Sequence, residues 1–413
     1  MVDRIINMSI FNEHKISVSQ LLSFIPEALL SHLSANTKVD HYSKVLQGRK
    51  MFYLLLFAIT SNEKLSQRTL EDTFKDPVFK ALFNLDETET VRRSSISERL
   101  TKIDSGYFKE IYECIYNMFH DSYTAGEREK YDLIRTDSTV IGEAAGKLKE
   151  GIAQNGGKKF IKYSVLFDGI LPCGVEIFNT PQYCAEDNAL SEAVLGHMKK
   201  EKDHANIYIM DKGLGSARRM KDFDDKGIFF VIRARENRRY EEIKSFIEKD
   251  QEVNLGETLL IKDSLVKLYS STPVPTQKGK TYNKEQQIEN RFRLIVVANK
   301  QQPDKEAWLL TNDFELPAKE IADYYQKRWD IEVFFRFLKQ ELHMSHLVSL
   351  NKNGIEVMIY MTLITAMLIL IYKKANNIGY KTAKRRFAME IRNLAISILI
   401  IGAGGNPDKV FKT

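Results

Sequence analysis

The fold is decided by five runs of sequence: DLIRTDSTVI (132–141), KYSVLF (162–167), GVEIFN (174–179), NIYIM (206–210) and GIFFVIR (227–233). Each run has the apolar, β-branched and aromatic composition of a strand. Helical patterns over Leu190–Lys200 and Ser216–Asp222 separate the last three runs. The order is therefore three strands, helix, strand, helix, strand, which predicts a mixed α/β domain.

This order of elements predicts a particular core. Three consecutive strands form a meander, and helical crossovers join the later strands to it. An RNase H-like catalytic core has that arrangement, and we assign residues 130–236 and 313–345 to it. Residues 237–312 lie between these parts and are too many for a loop, so we predict an inserted β-rich subdomain there. Its strand-like runs are Glu257–Tyr269, Arg291–Ala298 and Trp308–Asn312, around the polar stretch Ser271–Asn290.

Helical patterns flank this core on both sides. Residues 1–125 are predicted to form a helical DNA-binding region, in which Met51–Thr60 (MFYLLLFAIT) is a core helix. Ser66 suits a helix cap, and Ser95-Ile96-Ser97-Glu98 has the pattern of a capping box. Short helices of this kind suit a helix-turn-helix reader of DNA, although a plain helical bundle has the same pattern. Residues 346–413 are predicted to form a helical C-terminal region.

One apolar segment, Val357–Tyr372 (VMIYMTLITAMLILIY), could be a membrane span or a buried helix. Its 16 residues fall short of the roughly 18–20 that a bilayer requires. Charged residues also border it, with Glu356 before it and Lys373 and Lys374 after it. We therefore predict a core helix and no membrane partner.

Composition bounds the function loosely. The chain has 413 residues, 61 of them basic and 55 acidic, and a formal net charge of +6. So mild an excess is only suggestive of a polyanionic partner. The cysteines lack the spacing of a metal site, and the first residues lack the apolar core of a secretion signal. These features predict an intracellular protein with reduced thiols.

Two aspartates stand where strands would present them for chemistry. Asp137 lies within the first strand run, where a charge is costly unless a positive group pairs with it. Asp211 ends the run NIYIM and precedes Lys212 and Gly213. The carboxyl ends of strands in α/β sheets face the ligand crevice. Each position alone is weak evidence, because a strand-end aspartate is more often a helix cap or an ion-pair partner.

A sharper pattern lies in Asp323–Glu341 (DYYQKRWDIEVFFRFLKQE), where Tyr325, Arg328, Glu332 and Lys339 follow at intervals of 3, 4 and 7 residues. On one continuous helix, at about 100° per residue, the four fall within roughly 60° of one another. The stripe places a carboxylate that can bind metal between cations that can hold phosphates. An exposed helix with i,i+4 ion pairs is the alternative, although such helices rarely carry so many aromatic residues.

The same residues identify a resemblance to a known family. The chain resembles the DDE transposases of bacterial insertion sequences, in the insertion-sequence-four branch, whose signature is Tyr-x2-Arg-x3-Glu-x6-Lys. Tyr325, Arg328, Glu332 and Lys339 match this signature without a gap. From average residue frequencies, a chance match in a chain this long has a probability below about one per cent. The resemblance is good over about 130–345, fair in the C-terminal apolar helix and only general in the N-terminal third.

The resemblance implies an enzyme that depends on metal ions. Asp137 and Asp211 correspond to the first two carboxylates of the family, and Glu332 corresponds to the third. All three are then catalytic residues and metal ligands, with Asp137 bridging two ions. Their hard oxygen atoms suit Mg²⁺ or Mn²⁺. The implied reaction is cleavage of DNA at the ends of an insertion sequence followed by strand transfer, in a cut-and-paste pathway through a DNA hairpin.

The resemblance also implies partners. Double-stranded DNA, as terminal inverted repeats and as target, would bind to Tyr325, Arg328 and Lys339 through its phosphates, and Trp308 would stack on a flipped base. Near Trp308 the sequence departs from a relative that has one more Leu before the following Thr, a shift that turns a strand side chain to the other face. Because two DNA ends are brought together for joining, a homodimer is expected. The resemblance also implies that the protein acts at the nucleoid in the bacterial cytoplasm.

Two other functions remain open at this point. An inactive descendant of a transposase would still bind DNA, and its lost activity need not show in the sequence. Another RNase H-like nuclease, such as a resolvase, would share the core. That class has no need of the Tyr-Arg-Glu-Lys pattern or of the β-rich insertion.

Overall fold

A computed structural model describes residues 15–41, 43–124, 132–142, 148, 150–153, 157–200, 206–248, 253–275, 281–344 and 348–411. The chain divides into two compact units. The first comprises Met1–Ala125, Ile141–Ile161 and Phe334–Thr413, and the second comprises Gly126–Val140 and Lys162–Val333. The domain boundaries expected from the sequence remain predictions.

The first unit begins with a succession of helices. They are α1 (Val18–Ser23), α2 (Glu27–Thr37), α3 (Gly48–Ser61), α4 (Gln67–Lys75), α5 (Pro77–Leu82), α6 (Arg93–Lys102) and α7 (Ser105–Thr124). The apolar run MFYLLLFAIT lies within α3 and is buried along its whole length. The predicted core helix is therefore confirmed.

The first residues of α4 and α6 show when a helix cap can be predicted from the local sequence. The Ser66 hydroxyl caps α4 as predicted, accepting a hydrogen bond from the Thr69 backbone N–H at 3.2 Å. The capping box predicted at Ser95 was wrong, because α6 already begins at Arg93. The Arg93 backbone N–H donates to the carboxylate of Glu71 on α4 at 2.9 Å. A neighbouring helix thus supplies the acceptor that a local cap would otherwise provide.

The strands form one large sheet. They are β1 (Asp132–Gly142), β2 (Ile152–Ala153), β3 (Lys159–Phe167), β4 (Pro172–Phe178), β5 (Asn206–Met210), β6 (Phe229–Ala234), β7 (Tyr240–Ser245), β8 (Val253–Asn254), β9 (Thr258–Pro275), β10 (Thr281–Asn299) and β11 (Gln302–Thr311). The order in the second unit is β4, β3, β1, β5, β6, β11, β10, β9, β7, with β8 beside β9. β1, β5 and β6 are parallel, whereas β11 is antiparallel to β6. Within the first unit, β2 pairs with the beginning of β3.

The strands predicted between residues 132 and 233 are confirmed to within a few residues, and the one at Asn206–Met210 over the same residues. The strands over 237–312 are longer than predicted, because the polar stretch after Tyr269 is itself paired. Thr272 pairs with Lys284, and Ser270 pairs with Gln286. Backbone pairing of a two-stranded ribbon needs no apolar alternation, so the sequence pattern did not reveal it.

Helices cover both faces of this sheet. They are α8 (Glu186–Lys200), preceded by a 3₁₀ turn (Pro181–Cys184), α9 (Ala217–Asp224) and α10 (Ala318–Gln326), which α11 (Trp329–Gln340) follows along the chain. Side chains alternate along β5: Tyr208 and Met210 join a buried cluster with residues of α8 and α9, and Ile207 and Ile209 join another with residues of α10. A strand buried on both faces has a continuous apolar sequence. The mixed α/β class is therefore confirmed.

Two long helices, α12 (Lys352–Ala375) and α13 (Tyr380–Gly402), followed by a 3₁₀ turn (Pro407–Lys409), close the described part of the first unit. α12 has 24 residues, and the mean hydropathy of its most apolar 18-residue stretch is 2.2, so by length and composition it could cross a membrane. Its most apolar stretch is, however, 94% buried inside the protein, where it packs against α3, α6 and α7. The helix is longer than predicted, and its burial favours the predicted core helix.

Candidate active site

Two of the three predicted carboxylates share one cavity. Asp137 lies on β1, and Asp211 directly follows β5, the adjacent parallel strand. The register pairs Arg135 with Ile209, so each aspartate lies two residues beyond a registered partner, toward the carboxyl end of its strand. Both side chains are half-buried. They line a cavity of about 670 Å³.

The cavity holds further charge. Glu186 and Asp187, the first residues of α8, also line it, together with the basic residues Lys212, Arg233, Arg235 and Arg238. Gly213 permits a close approach, since a Cβ there would lie 2.6 Å from Cδ of Glu186. Glu186 was not among the residues predicted from the sequence. The available signal was an acidic pair that opens a helix, and the helix macrodipole favours such pairs without any catalytic role.

The surroundings of Asp137 destabilise its negative charge. Its pKa is raised to about 6, chiefly by burial and also by the nearby carboxylates of Glu186 and Asp211. The backbone N–H of Ser138 donates to Asp137 Oδ1 at 2.7 Å. This hydrogen bond and the Arg328 guanidinium lower the pKa without cancelling the effect of burial. Above that pH, several negative charges stand close together, an arrangement that a cation would stabilise.

Glu332 is linked to the cavity through two neighbouring side chains. It lies in the first turn of α11, and its Oε1 is 2.6 Å from the Arg328 guanidinium. That guanidinium lies 5.7 Å from the centre of the Tyr325 ring. The Tyr325 hydroxyl in turn donates to Asp211 Oδ1 at 3.1 Å. Burial, together with the Asp211 charge, raises the pKa of Tyr325 to about 12, so this hydroxyl stays protonated at neutral pH.

The three carboxylates do not form one ligand set in this conformation. Among the described residues, no group of three His, Cys, Asp or Glu side chains is arranged to hold a metal ion. The ion pair with Arg328 gives a physical reason, because it occupies the carboxylate of Glu332. The predicted triad therefore stays a prediction, supported by the two aspartates that share one cavity.

The four residues of the Tyr-Arg-Glu-Lys pattern do not share one helix, so that expectation was wrong. A tight turn over residues 327–328 separates α10 from α11. The N–H groups of Lys327 and Arg328 bond to the carbonyls of Tyr324 and Tyr325, three residues back rather than four. Arg328 therefore lies in the turn between the two helices rather than on a shared face.

A buried arginine stabilises this turn. Arg135 lies on β1 and is 6% exposed. Its guanidinium donates hydrogen bonds of 2.6–3.2 Å to the carbonyl oxygens of Leu133, Asp168 and Lys327 and to the carboxylate of Asp330. Lys327 lies in the turn, and Asp330 lies at the start of α11. One side chain therefore ties the strand of Asp137 to the helix junction that carries Arg328 and Glu332.

The two remaining predicted residues have other local contacts. Trp308, on β11, is half-buried. Its ring meets Tyr240 edge-on at 5.9 Å, and its Nε1–H donates to Glu306 at 2.8 Å. Lys339 lies in the part of α11 that belongs to the first unit, exposed, with its ammonium 5.8 Å from the centre of the Phe335 ring. Their roles in binding DNA stay predictions.

The role of Arg135 can be tested by lysine substitution, since lysine keeps the charge but lacks the planar fork of donors. Arg135→Lys should lower the free energy of unfolding by about 2–4 kcal/mol, because hydrogen bonds of a charged group contribute about 1.5–3 kcal/mol. It should also accelerate hydrogen exchange at the Arg328 and Ile331 amides, which bond to carbonyls across the turn. Denaturant titration and exchange mass spectrometry measure the two effects.

Arg293→Lys is the matched control. Arg293 is likewise buried, pairs with Asp263 at 2.8 and 2.7 Å and donates to the Leu316 carbonyl. It should lose comparable stability while exchange at residues 328 and 331 stays as in the wild type. Equal acceleration at those amides in both variants would mean a general loosening of the fold, and the assigned role of Arg135 would then be wrong.

The raised pKa of Asp137 predicts a gain in stability on neutralisation. A carboxyl whose pKa is higher in the folded than in the unfolded state destabilises the fold increasingly from about pH 4 to pH 6, and fully above that. In a chelator at pH 8, Asp137→Asn should therefore raise the free energy of unfolding by up to about 3 kcal/mol. At pH 4 the difference should vanish. Denaturant titrations at both pH values measure it.

Asp323→Asn serves as control for that variant, because Asp323 pairs with Lys319 on the exposed side of α10. Its effect should stay below about 1 kcal/mol at either pH. A neutralised Asp137 that gave no greater stability at pH 8 than at pH 4 would contradict the crowding of carboxylates described above.

Comparison with known proteins shows several similar chains. A transposase of Sinorhizobium fredii, y4zB, is 28% identical over 252 residues, which cover 61% of this chain and 64% of that protein. A transposase for insertion sequence element IS5377 of Geobacillus stearothermophilus is 26% identical over 163 residues, 40% of this chain and 38% of that one. The match therefore spans less than two thirds of the length of either relative.

A longer match reaches a third relative. A transposase for insertion sequence element IS4SA of Synechocystis sp. is 26% identical over 358 residues, 85% of this chain and 88% of that protein. Among solved structures, a piggyBac transposase synaptic complex with hairpin DNA gives a TM-score of 0.42 at 11% identity, over 92% of this chain and 80% of that one. A likeness at that TM-score does not establish a shared fold.

The family itself is shown by a match over more than half of the chain. Residues 128–368 match the family described as "Transposase DDE domain". That segment contains Asp137, Asp211 and the Tyr325–Lys339 pattern. The chain therefore belongs to the transposase DDE-domain family.

Proposed function

We propose that this chain is a transposase that binds the ends of an insertion sequence, cleaves the DNA there and joins the ends to target DNA. The observation that carries the proposal is the cavity shared by Asp137, on β1, and Asp211, directly after the adjacent parallel strand β5. Tyr325 and Arg328 link Glu332 to Asp211. Membership of the DDE family gives independent support.

The order of elements supports an RNase H-like core as the frame of this site. β4, β3, β1, β5 and β6 are neighbours in that order, with α8 between β4 and β5 along the chain and α9 between β5 and β6. β7 to β11 then precede the α10–α11 pair that carries Glu332. An insertion between the last core strand and the helix of the third carboxylate would have this arrangement.

Two Mg²⁺ or Mn²⁺ ions would be held by Asp137, Asp211 and Glu332. The donor set fits such ions, because hard carboxylate oxygens prefer them, and because the crowding that raises the pKa of Asp137 would be relieved by a cation. When bound, two such ions supply charge stabilisation for the attacking and leaving oxygens of the phosphodiester. Asp137, on β1 between β3 and β5, would be a ligand of both ions.

The residues around this set have their own tasks. Tyr325 donates to Asp211 and thereby orients its carboxylate. Arg328 forms an ion pair with Glu332, and a DNA phosphate would offer the same guanidinium a competing anion. Transfer of Arg328 to the phosphate would leave Glu332 available as a ligand. Binding of the DNA end and completion of the ligand set are then coupled.

The proposal extends to the pathway and the partners. Trp308 would stack on a base flipped out of a hairpin intermediate, and Lys339 would hold a phosphate of the element's end. Two ends must meet before joining, which calls for two copies of the chain on DNA. The place of action is the nucleoid in the bacterial cytoplasm, where the DNA lies.

Alanine variants test the carboxylates one at a time. Asp137→Ala, Asp211→Ala and Glu332→Ala should each lower cleavage of DNA carrying the element's ends by at least about 100-fold, because each removes charge that serves the transition state. Binding to the same DNA should stay nearly unchanged. Gel assays of nicking, hairpin formation and strand transfer, with and without Mg²⁺, measure the reaction.

Asp323→Ala is the control, since Asp323 is a neighbouring carboxylate in an exposed ion pair with Lys319. Near-normal cleavage by any of the three test variants would remove that residue from the site. Wild-type protein that binds ends without cutting them would be an inactive descendant. Wild-type protein that cuts without joining would be a different nuclease.

The coupling through Arg328 predicts a change in metal affinity without DNA. Arg328→Gln should bind Mn²⁺ about tenfold more tightly than the wild type, a difference of about 1.4 kcal/mol, because Glu332 loses its competing cation. Titration calorimetry or electron paramagnetic resonance measures the affinity. In a Glu332→Gln background the same substitution should give a much smaller gain.

An equal gain in both backgrounds would mean that Arg328 acts only as a nearby positive charge, and the exchange between glutamate and phosphate would be excluded. Lys319→Gln is the control for charge alone, because Lys319 lies on α10 in an exposed ion pair. It should leave Mn²⁺ affinity unchanged.

A further inference from the structure

The positive charge of this chain is concentrated in one short segment. Between Lys373 and Arg392 the sequence has seven basic residues and one acidic residue, Glu390. That excess equals the formal net charge of the entire chain, +6. The remaining residues are therefore balanced in charge. The segment comprises the end of α12, the connection to α13 and the first half of α13.

The one acidic residue does not neutralise the surface of this segment. Glu390 is 5% exposed. One of its oxygens accepts a hydrogen bond from the Tyr372 hydroxyl at 2.9 Å, and the other accepts one from the Val18 backbone N–H at 2.9 Å. Its charge thus serves the interior contact between α13, α12 and α1, and the outer side of α13 keeps its positive charge.

Three cations form a stripe on that outer side, which we name the basic face: Lys381, Arg385 and Arg392. All three are exposed, and their spacing of 4 and 7 residues puts them within about 40° of one another on the helix. From end to end the stripe spans about 16 Å. The opposite side of α13 is buried against α1, α5 and α12 through Ala383, Phe387, Ile391 and Ala395.

The basic face has no counter-charge within the part of the chain that the structure describes. None of its three residues forms an ion pair with a described carboxylate. Lys381 and Arg385 also lie in the first two turns of a 23-residue helix, where the macrodipole is positive and a cation costs about 0.3–1 kcal/mol. Stability alone would favour acidic residues there, so this placement serves another purpose.

We propose that the basic face of α13 binds the phosphate backbone of double-stranded DNA, independently of base sequence. Duplex DNA carries one negative charge per about 1.7 Å of its axis, so a 16 Å stripe of cations meets several phosphates. A lipid surface fits less well, because a helix that lies in a membrane needs a free apolar side. The apolar side of α13 is already buried.

The inference rests on the proposed function in one respect: DNA is the polyanion that such an enzyme meets. It adds a contact surface in the first unit, apart from every residue assigned to the catalytic site. A sequence-independent surface of this kind would serve flanking or target DNA, whose sequence varies from one event to the next.

The test compares two triple variants of the full chain. Lys381→Gln, Arg385→Gln and Arg392→Gln together remove the basic face. Lys226→Gln, Lys305→Gln and Lys409→Gln together remove three exposed lysines that lie elsewhere. Binding of each protein to a duplex without element ends is measured by fluorescence anisotropy in a chelator, over salt concentrations of about 0.05–0.25 M.

Loss of the basic face should reduce the slope of log K against log salt by about 2–3, because each phosphate contact contributes about 0.9. At about 0.1 M salt the affinity should fall at least tenfold. The control triple variant should keep the slope of the wild type. The melting temperature of the test variant should stay constant or rise, since cations leave the start of a helix, so misfolding cannot account for weaker binding.

Wild-type affinity and slope in the test variant would overturn the proposal. So would loss of binding to phosphatidylserine vesicles with unchanged binding to the duplex, which would assign the basic face to a membrane. If the wild-type chain does not cleave element ends, and the test variant still binds the duplex more weakly than the wild type, the proposed function alone is refuted. Normal cleavage with unchanged duplex binding would refute this inference alone.

Discussion

The arrangement of the second unit depends on the hydrogen bonds that the buried guanidinium of Arg135 makes. The Arg135 guanidinium would be strongly destabilising in the interior without partners, and its partners lie on three separate segments. It bonds to the carbonyls of Leu133 and Asp168, to the carbonyl of Lys327 and to the carboxylate of Asp330. The same contacts fix where α10 gives way to α11, and hence where Arg328 and Glu332 stand relative to the strand of Asp137.

The candidate site differs from Arg135, because its carboxylates lie close to one another and are not neutralised by hydrogen bonds or ion pairs of the same completeness. Asp137, Glu186 and Asp211 line one cavity, and burial with like charge raises the pKa of Asp137. A protein selected for stability alone would avoid this arrangement. Under the proposed function a cation would relieve this crowding, and transfer of Arg328 from Glu332 to a substrate phosphate would couple the binding of phosphate and cation.

Charge is also distributed unevenly over the chain. A net charge of +6 on 413 residues indicates little about partners, yet the cations of α13 concentrate on one exposed side while Glu390 faces the interior. Composition averages over the surface, whereas a polyanion responds to the local field. The long apolar helix α12 gives a parallel case: composition alone permits a membrane span, and burial of 94% of its most apolar stretch inside the protein favours a core helix.

Local pattern in the sequence was enough to predict the strands between residues 132 and 233, the core helix α3 and the positions of Asp137 within a strand and Asp211 after one, because alternation, apolar runs and spacing act over a few neighbouring residues. The Tyr-Arg-Glu-Lys spacing likewise identified the family.

Tertiary structure alone decided the break between α10 and α11, the start of α6 and the presence of Glu186 beside Asp211. Each of these depends on a partner distant in sequence: Arg135 for the break, Glu71 for the helix start and Gly213 for the approach of Glu186. A hydrogen bond or a close approach between distant segments leaves no periodic signal in the chain, so it becomes visible only when the segments are brought together.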